Sequence, residues 1–480
     1  PHGNLFRLRF TAIRKYAAFA KGSPNMTADA VSYGDAAPSI FHRVITNNWP
    51  QISHGKDCYL YAADGRAYLD ACAGVHVVSI GHGVPEITVA MQEQADKVCF
   101  TYARFLTQPQ IDLADKLASI APGDLNRVFF VSGGSEATEA GMKIARKYHL
   151  ETGNPKKYKV ITRWNSWHGN TIGALSMSGR SPWREDYIPY TLDFPHIPFP
   201  SPDHCPYCAG QSECVHSGAV ELERVIKQEG ADYISAFIAE PISGTSCCGL
   251  KPPDNYFPEI REVCDRYNVL LIVDEVVTGF GRTGTHFGIE HWQGVVPDIM
   301  ATGKGLSSGY TPIAATLVRD EVYDGIYKKQ SHYVHGHTYG GNPLSCAIAL
   351  AVQNYIEDHD LVARCKKMGD LMHEQLLPLM DSPIVSAVRG GHGLLNGVEF
   401  CKDKASGEPF DPQQGVTAAV VNKVFDRGVL IMPGSPGMID GVNGDHIAIS
   451  PPFTIDEEQV AQIATTVAQA IGEVARELGY

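Results

Sequence analysis

The stretch that most constrains the fold is Val269-Leu-Leu-Ile-Val273, an apolar run that stops abruptly at Asp274-Glu275 and continues as Val-Val-Thr-Gly-Phe-Gly-Arg-Thr-Gly284. A short β-branched run of this kind reads as a strand of a parallel sheet covered on both faces. The acid at its end is then delivered to the carboxyl edge of the sheet, where open α/β folds bind ligands. Thirty positions on, Lys304 lies in Gly303-Lys304-Gly-Leu-Ser-Ser-Gly309, at the next strand-to-loop junction. An amine placed among glycines and apolar residues can lose its proton and attack carbonyls. A buried aspartate beside it suits a protonated pyridine nitrogen such as that of pyridoxal phosphate. Taken singly, the two residues would read as a solvated loop lysine and a helix-capping aspartate.

A second unit makes that bland reading untenable. Arg127-Val-Phe-Phe-Val-Ser132 reads as a strand, Gly133-Gly134-Ser135 as a turn, and Glu136 to about Leu150 as a helix. A glycine pair and a hydroxyl at a helix start usually make only a turn, but they also present free N–H groups and the positive helix end, which suit a phosphate at Gly134 and Ser135. The Rossmann alternative fails because the spaced third glycine is missing. Lys159-Val-Ile-Thr162 is another strand, leading into Trp167-His168-Gly169, and Ala236-Phe-Ile-Ala-Glu240 ends in an acid like the Asp274 run. Pro312 to Val318 reads as a further strand, and helical patterns run from Pro343 to His359 and from Leu361 to Met380. The last helix places Val460, Ile463, Val467, Ile471 and Val474 at spacings of 3, 4, 4 and 3, one buried face. Near the start, Cys58 to Ala62 and Ala67 to Asp70 read as two strands about an Asp64-Gly65 turn, preceded by an irregular polar stretch.

The runs Asp274 to Gly284 and Gly303-Lys304-Gly-Leu-Ser-Ser-Gly-Tyr-Thr-Pro-Ile-Ala314 resemble the signature of class III (ω-type) aminotransferases, and matching stretches extend from about Gly55 to the C-terminus. The resemblance implies fold type I, an α/β fold with a mostly parallel central sheet in a large domain and a smaller α+β domain built from both chain ends. It implies domains at 27–80 and 344–480 (small) and 81–343 (large), with 1–26 a tag, presequence or upstream extension. It implies pyridoxal phosphate as cofactor, Schiff-base chemistry at Lys304 with Asp274 on the ring nitrogen, and cofactor contacts from Gly134, Ser135, Trp167, His168, Glu240 and Val276. Thr338, in Gly336-His337-Thr338-Tyr339, is implied to reach the neighbouring subunit's cofactor, hence a homodimer or a tetramer. The function implied is ping-pong transfer of an amino group from a primary amine or ω-amino acid to a keto acid, pyruvate above all. A decarboxylase, aminomutase or racemase on the same fold is the alternative.

Composition limits the remaining choices. At ~150 residues per domain, 480 residues make two or three domains. A net charge of −13 disfavours nucleic acid and anionic membranes, and no apolar stretch approaches the ~20 residues of a membrane span. Twelve cysteines are too sparse for a disulfide scaffold, so a reducing compartment is expected. That means the cytoplasm, or the mitochondrion if the basic first 25 residues are native. Cys205, Cys208, Cys214 and His216 have partial zinc-ligand spacing, but the usual second pair at distance is absent, and no metal is expected.

The departures from the family pattern concern the substrate. Ornithine- and GABA-type members carry an arginine shortly before the Pro-Pro that matches Pro451-Pro452; here the stretch is His446-Ile-Ala-Ile-Ser450, with Ala448 and no arginine. Val277 stands where that subgroup often has glutamine, and His76 where amine:pyruvate members tend to have a pocket tryptophan. Pro433 follows Met432 where that subgroup has a mobile arginine. Arg104 and Arg163 are the candidates left for holding a carboxylate.

Overall fold

The computed structural model describes residues 39–41, 49–201, 218–328 and 331–480. The Cys205-to-His216 segment and the basic N-terminal segment, with the expectations placed on them, lie outside the described residues. Strands β1 (Ile52–Lys56), β2 (Tyr59–Ala62) and β3 (Ala67–Asp70) form an antiparallel ribbon. The β2–β3 turn is the expected one, with Gly65 at φ 90°. The stretch before it is not wholly irregular: β1 is an exposed edge strand, paired through its backbone without an apolar pattern that a sequence could show.

A seven-stranded sheet follows, made of β4 (Arg127–Val131), β5 (Lys159–Arg163), β6 (His196–Ile197), β7 (Ile234–Ala239), β8 (Leu270–Asp274), β9 (Ile299–Thr302) and β10 (Ala314–Val318). Their order is β4-β10-β9-β8-β7-β5-β6. The pairs β5–β6, β5–β7, β7–β8 and β8–β9 are parallel, whereas β10 runs against both β9 and β4. Two reversals restore direction, so β4 ends at the same edge as β9 and β8. Every residue of β7, β8, β9 and β10 is buried. Helices cover both faces, which is why these strands read as continuous apolar runs, each buried Ile, Leu or Val contributing about 1.5–3 kcal/mol.

Helix Gly134–Glu151 packs on one face through Ile144 and Ala145, against Ile272 and Ile299. Helices Gly218–Glu229 and Tyr256–Tyr267 cover the other through Leu222, Ile226, Phe257 and Ile260. The C-terminal layer contains β11 (Val385–Arg389), β12 (Asn396–Phe400), β13 (Val429–Leu430), β14 (Met432–Pro433) and β15 (Asp445–Ile449). Its sheet runs β11-β12-β15-β14, while β13 pairs in parallel with β3 and so joins the two chain ends in one sheet. The last helix, Glu457–Glu477, is capped by Asp456, whose side chain accepts from the Gln459 N–H, and its five-residue stripe is wholly buried.

Candidate active site

Four strands deliver the chemistry to one edge. Asp274 is the last residue of β8, Glu240 follows β7, and Lys304 lies two residues past β9. Because Ala239 pairs with Val273 and Asp274 with Ala301, the two acids and the lysine loop emerge side by side. The turn after β4 joins them. A Cβ on Gly134 would stand 2.7 Å from a Val276 methyl, and one on Gly303 would stand 3.5 Å from Val276 and 3.6 Å from the Gly134 Cα. Glycine at 134 and 303 therefore lets the β4, β8 and β9 loops close on one another.

Asp274 is 3% exposed, and its Oδ2 accepts a hydrogen bond from His168 Nδ1 at 2.7 Å. Its Oδ1 accepts from the Val276 N–H at 3.0 Å. His168 is fixed in turn: its N–H donates to Ser178 Oγ at 2.8 Å, and its carbonyl accepts from Thr138 Oγ1 at 2.8 Å. Glu275, the next residue, takes the opposite direction. Its carboxylate accepts from the N–H groups of Gly288 and Ile289 at 2.9 and 2.8 Å, and burial raises its proton affinity to about 7. Two adjacent acids thus divide into one that faces the cleft and one that caps a turn.

Lys304 adopts a left-handed backbone at φ 42°, a conformation uncommon for a side-chain-bearing residue and common at functional sites. Desolvation pushes its amine down to about 8 from 10.5; Asp274 and Glu240 pull upward, and Arg282 and Arg180 push further down. Glu240, 3% exposed, is raised by burial, and its carboxylate receives the N–H groups of Gly244 and Trp167 at 3.2 and 3.4 Å. Ser135 Oγ accepts from the Asn170 N–H at 3.1 Å, at the start of the helix that presents the Gly134 and Ser135 N–H groups.

Gly134, Ser135, Glu240, Asp274, Val276 and Lys304 are thus brought together, with Trp167 and His168 beside them. Thr338 is not part of this cluster. It is exposed, next to Tyr339, whose ring meets Phe100 at 5.8 Å, and to His337, whose Nδ1 lies 3.5 Å from Glu136. The structure overturns Arg163 as a carboxylate holder. It is fully buried, donates to the Glu240 carbonyl at 2.6 Å and stacks on Phe199 and Tyr256, because it closes β5 rather than the loop beyond it. Arg104 is exposed, over the Tyr102 ring at 5.9 Å. His76 is buried at φ 58°, with Nδ1 2.6 Å from Ser450 Oγ; burial, then Lys304 and Arg282, hold it well below 6.5 and so neutral at pH 7.

Sequence reading missed Arg180. It stands over the rings of Trp167 at 5.1 Å and Trp183 at 4.8 Å, and its guanidinium donates to Thr245 Oγ1 at 3.4 Å. Three separate loops build this arrangement, so no local spacing signals it.

This chain belongs to the class III aminotransferases, whose family model matches residues 43–471. It is 37% identical over 436 residues to the uncharacterized aminotransferase YodT of Bacillus subtilis, covering 90% of this chain and 97% of that one. Gamma aminobutyrate transaminase 3, chloroplastic, of Solanum lycopersicum is 34% identical, covering 88% and 80%. Among solved structures it is similar to an (S)-enantioselective omega-transaminase from Thermomicrobium roseum, with 33% identity, TM-score 0.84 and coverage of 94% and 99%. An omega-transaminase from Pseudomonas jessenii, solved in complex with PMP, shows 30% identity, TM-score 0.82 and coverage of 96% and 98%.

Members of this family depend on pyridoxal phosphate, and the cleft here fits that group. It offers a desolvated amine, a buried aspartate with a fixed histidine behind it, and a glycine turn at the start of an eighteen-residue helix.

Proposed function

We propose that this enzyme moves an amino group from a primary amine or ω-amino acid to a keto acid, with pyruvate as acceptor. The observation that carries the proposal is the Lys304 amine pushed down to about 8 beside the buried Asp274–His168 pair. Pyridoxal phosphate bound here would supply an electron sink for the charge that develops when the donor carbon loses its proton. The chain's own residues do the rest. Lys304 Nζ, whose proton affinity burial lowers toward the working range, takes the proton from the donor carbon in its neutral form and returns one to the product, as general base and then acid. Asp274 would hold the ring nitrogen of that group, and the His168 hydrogen bond fixes the orientation of the carboxylate. Trp167 and Val276 would cover the two faces of the ring, and Gly134 and Ser135 would hold the phosphate at the helix start.

Thr338, exposed beside Tyr339, whose ring meets the exposed Phe100, would complete the phosphate site of a second copy across a two-fold interface. The apolar character of that surface supports a homodimer as the active unit. On the same reading, residues 81–343 make the large domain, and 27–80 with 344–480 the small one.

The donor preference follows from Ala448 and Val277. Ala448 is 1% exposed in the middle of β15, where no arginine meets a distant carboxylate. A buried carboxylate without a charged partner costs several kcal/mol, so amines lacking one should exceed GABA and ornithine in kcat/KM. A panel of amines and ω-amino acids assayed against pyruvate tests both points. Stoichiometric alanine is expected, and an arylalkyl amine should lead the panel; amine consumption without alanine would overturn the reaction, and a lead for GABA would overturn the preference.

A further inference from the structure

The turn that carries Lys304 is strained at both ends. Lys304 itself sits at φ 42° and Ser308 at φ 51°, left-handed conformations that neither side chain favours. Such a turn persists only where its surroundings over-determine it. Helix Pro343–Asp358 supplies part of that support. Its buried stripe is apolar at Cys346, Ala349 and Ile356, yet Gln353, on the same face, is 4% exposed. A buried amide is costly unless it is bonded. Gln353 Nε2 donates to the carbonyls of Gly305 and Leu306 at 3.1 and 2.9 Å, the two residues that follow Lys304. We propose that Gln353 is a positioning residue for Lys304, holding the turn that sets where its amine stands. The assignment rests on the reading of Lys304 as the reacting amine.

The bonds of Gln353 belong to a cage around the turn. Ser345 Oγ of the same helix lies 2.7 Å from Thr311 Oγ1, so one rigid element holds residues 305, 306 and 311 together. From the N-terminal segment, the N–H groups of Ser79 and Ile80 donate to Ser308 Oγ at 2.8 and 3.1 Å. The cage has little slack: a Cβ on Gly305 would stand 3.2 Å from Ser79 Oγ and 3.3 Å from the Phe280 Cβ, in the loop after β8. Within the turn, the Leu306 N–H donates to the Gly303 carbonyl at 2.9 Å, and those of Ser307 and Ser308 to the Lys304 carbonyl at 3.3 and 3.1 Å. The carbonyls of Gly305 and Leu306, both buried residues, take the Gln353 amide. Without it, two buried acceptors lose their donor and must turn to find another, and the adjoining Lys304 backbone moves with them.

The test compares wild type with Gln353→Met, which keeps the length of the side chain and removes the amide, and Gln353→Asn, which keeps the amide on a shorter arm. Acetylation of Lys304 in the cofactor-free protein, followed against pH by peptide mass spectrometry, reads the surroundings of the amine without turnover. Its midpoint, near 8 in wild type, should rise by about one pH unit in Gln353→Met as the turn relaxes and water reaches the amine. In the holoenzyme, kcat should fall about 10- to 100-fold while KM for the donor stays within about twofold, the pattern of a misplaced reacting group. Gln353→Asn should fall between the two, and it decides alone if Gln353→Met does not fold. A lower urea midpoint with an unmoved acetylation midpoint and unmoved kcat would overturn the proposal and leave Gln353 a purely structural residue. A raised KM with unchanged kcat would overturn it as well, since the effect would then lie in donor binding. Full turnover in Lys304→Ala would instead refute the reading of Lys304, and the acetylation midpoint would still decide whether Gln353 holds the amine.

Discussion

Where the large sheet meets the C-terminal layer, Arg282 is 1% exposed, its NH1 donates to three carbonyls at 2.6 to 3.3 Å, and Phe453 lies 4.6 Å beneath it. At the sheet edge, Lys304 is also desolvated, yet its amine has no ion pair or hydrogen bond among the described residues. Burial lowers the proton affinity of both cations, to about 10 in Arg282 and about 8 in Lys304. The guanidinium stays charged because it cannot reach neutrality near physiological pH, and its bonds tie the strand-8 loop to the segment after β15. The amine is left short of partners, which suits the nucleophilic role proposed for it. A buried cation with fixed carbonyls is a clamp; one without them is a reagent.

The largest effect should come from removing the reagent. Lys304→Ala is expected to lower transamination by at least about 10³-fold, because the proposed roles of nucleophile and proton carrier both fall on this amine. Its melting temperature should stay within a few degrees of wild type, and residual turnover above about 1% would break the distinction. Asp274→Asn keeps an acceptor for His168 but removes the charge, so kcat should fall on the order of 10²-fold with the fold intact; a loss below threefold would remove Asp274 from the chemistry.

The clamp should fail in the other way. Arg282→Met leaves three buried carbonyls without their donor and should cost about 3 kcal/mol, read as a lower urea midpoint. Activity per folded molecule should change much less than in Lys304→Ala, and a larger loss of activity than of stability would put Arg282 in the reaction.

The smallest effect is on proton affinity. Lys304 is protonated below about pH 8 and neutral above it, so acetylation at this residue should rise with pH through a midpoint near 8. Peptide mass spectrometry of the cofactor-free protein reads this directly, and an ordinary surface lysine should titrate near 10.4. A Lys304 midpoint near 10 would contradict the desolvated amine. In Arg282→Met the midpoint should move upward, since one repelling charge is gone.

Much of this was legible in the chain itself. Strands β4, β5, β7, β8 and β10 were visible as apolar runs, because strands covered on both faces cannot afford polar alternation. The buried stripe of the last helix and the Gly-Gly-Ser helix start were equally plain, since local periodicity and turn chemistry carry them. Asp274, Glu240 and Lys304 could be placed at strand ends, because a charge that interrupts an apolar run has to leave the core there. Other features needed the tertiary structure. Only strand pairing shows that β10 runs against its neighbours, since an apolar run has no direction. Only side-chain packing sends Glu275 to cap a turn while Asp274 meets His168, and turns Arg163 into the core though it directly precedes the Trp164-to-Gly169 loop. The cation over Trp167 comes from position 180, fixed by Trp183 and by Thr245 sixty-five residues further on. The sequence determined what each segment could bury, because burial is a property of local pattern. The tertiary structure decided which charges face one another, because the contacts among loops from distant strands are written in no single stretch of chain.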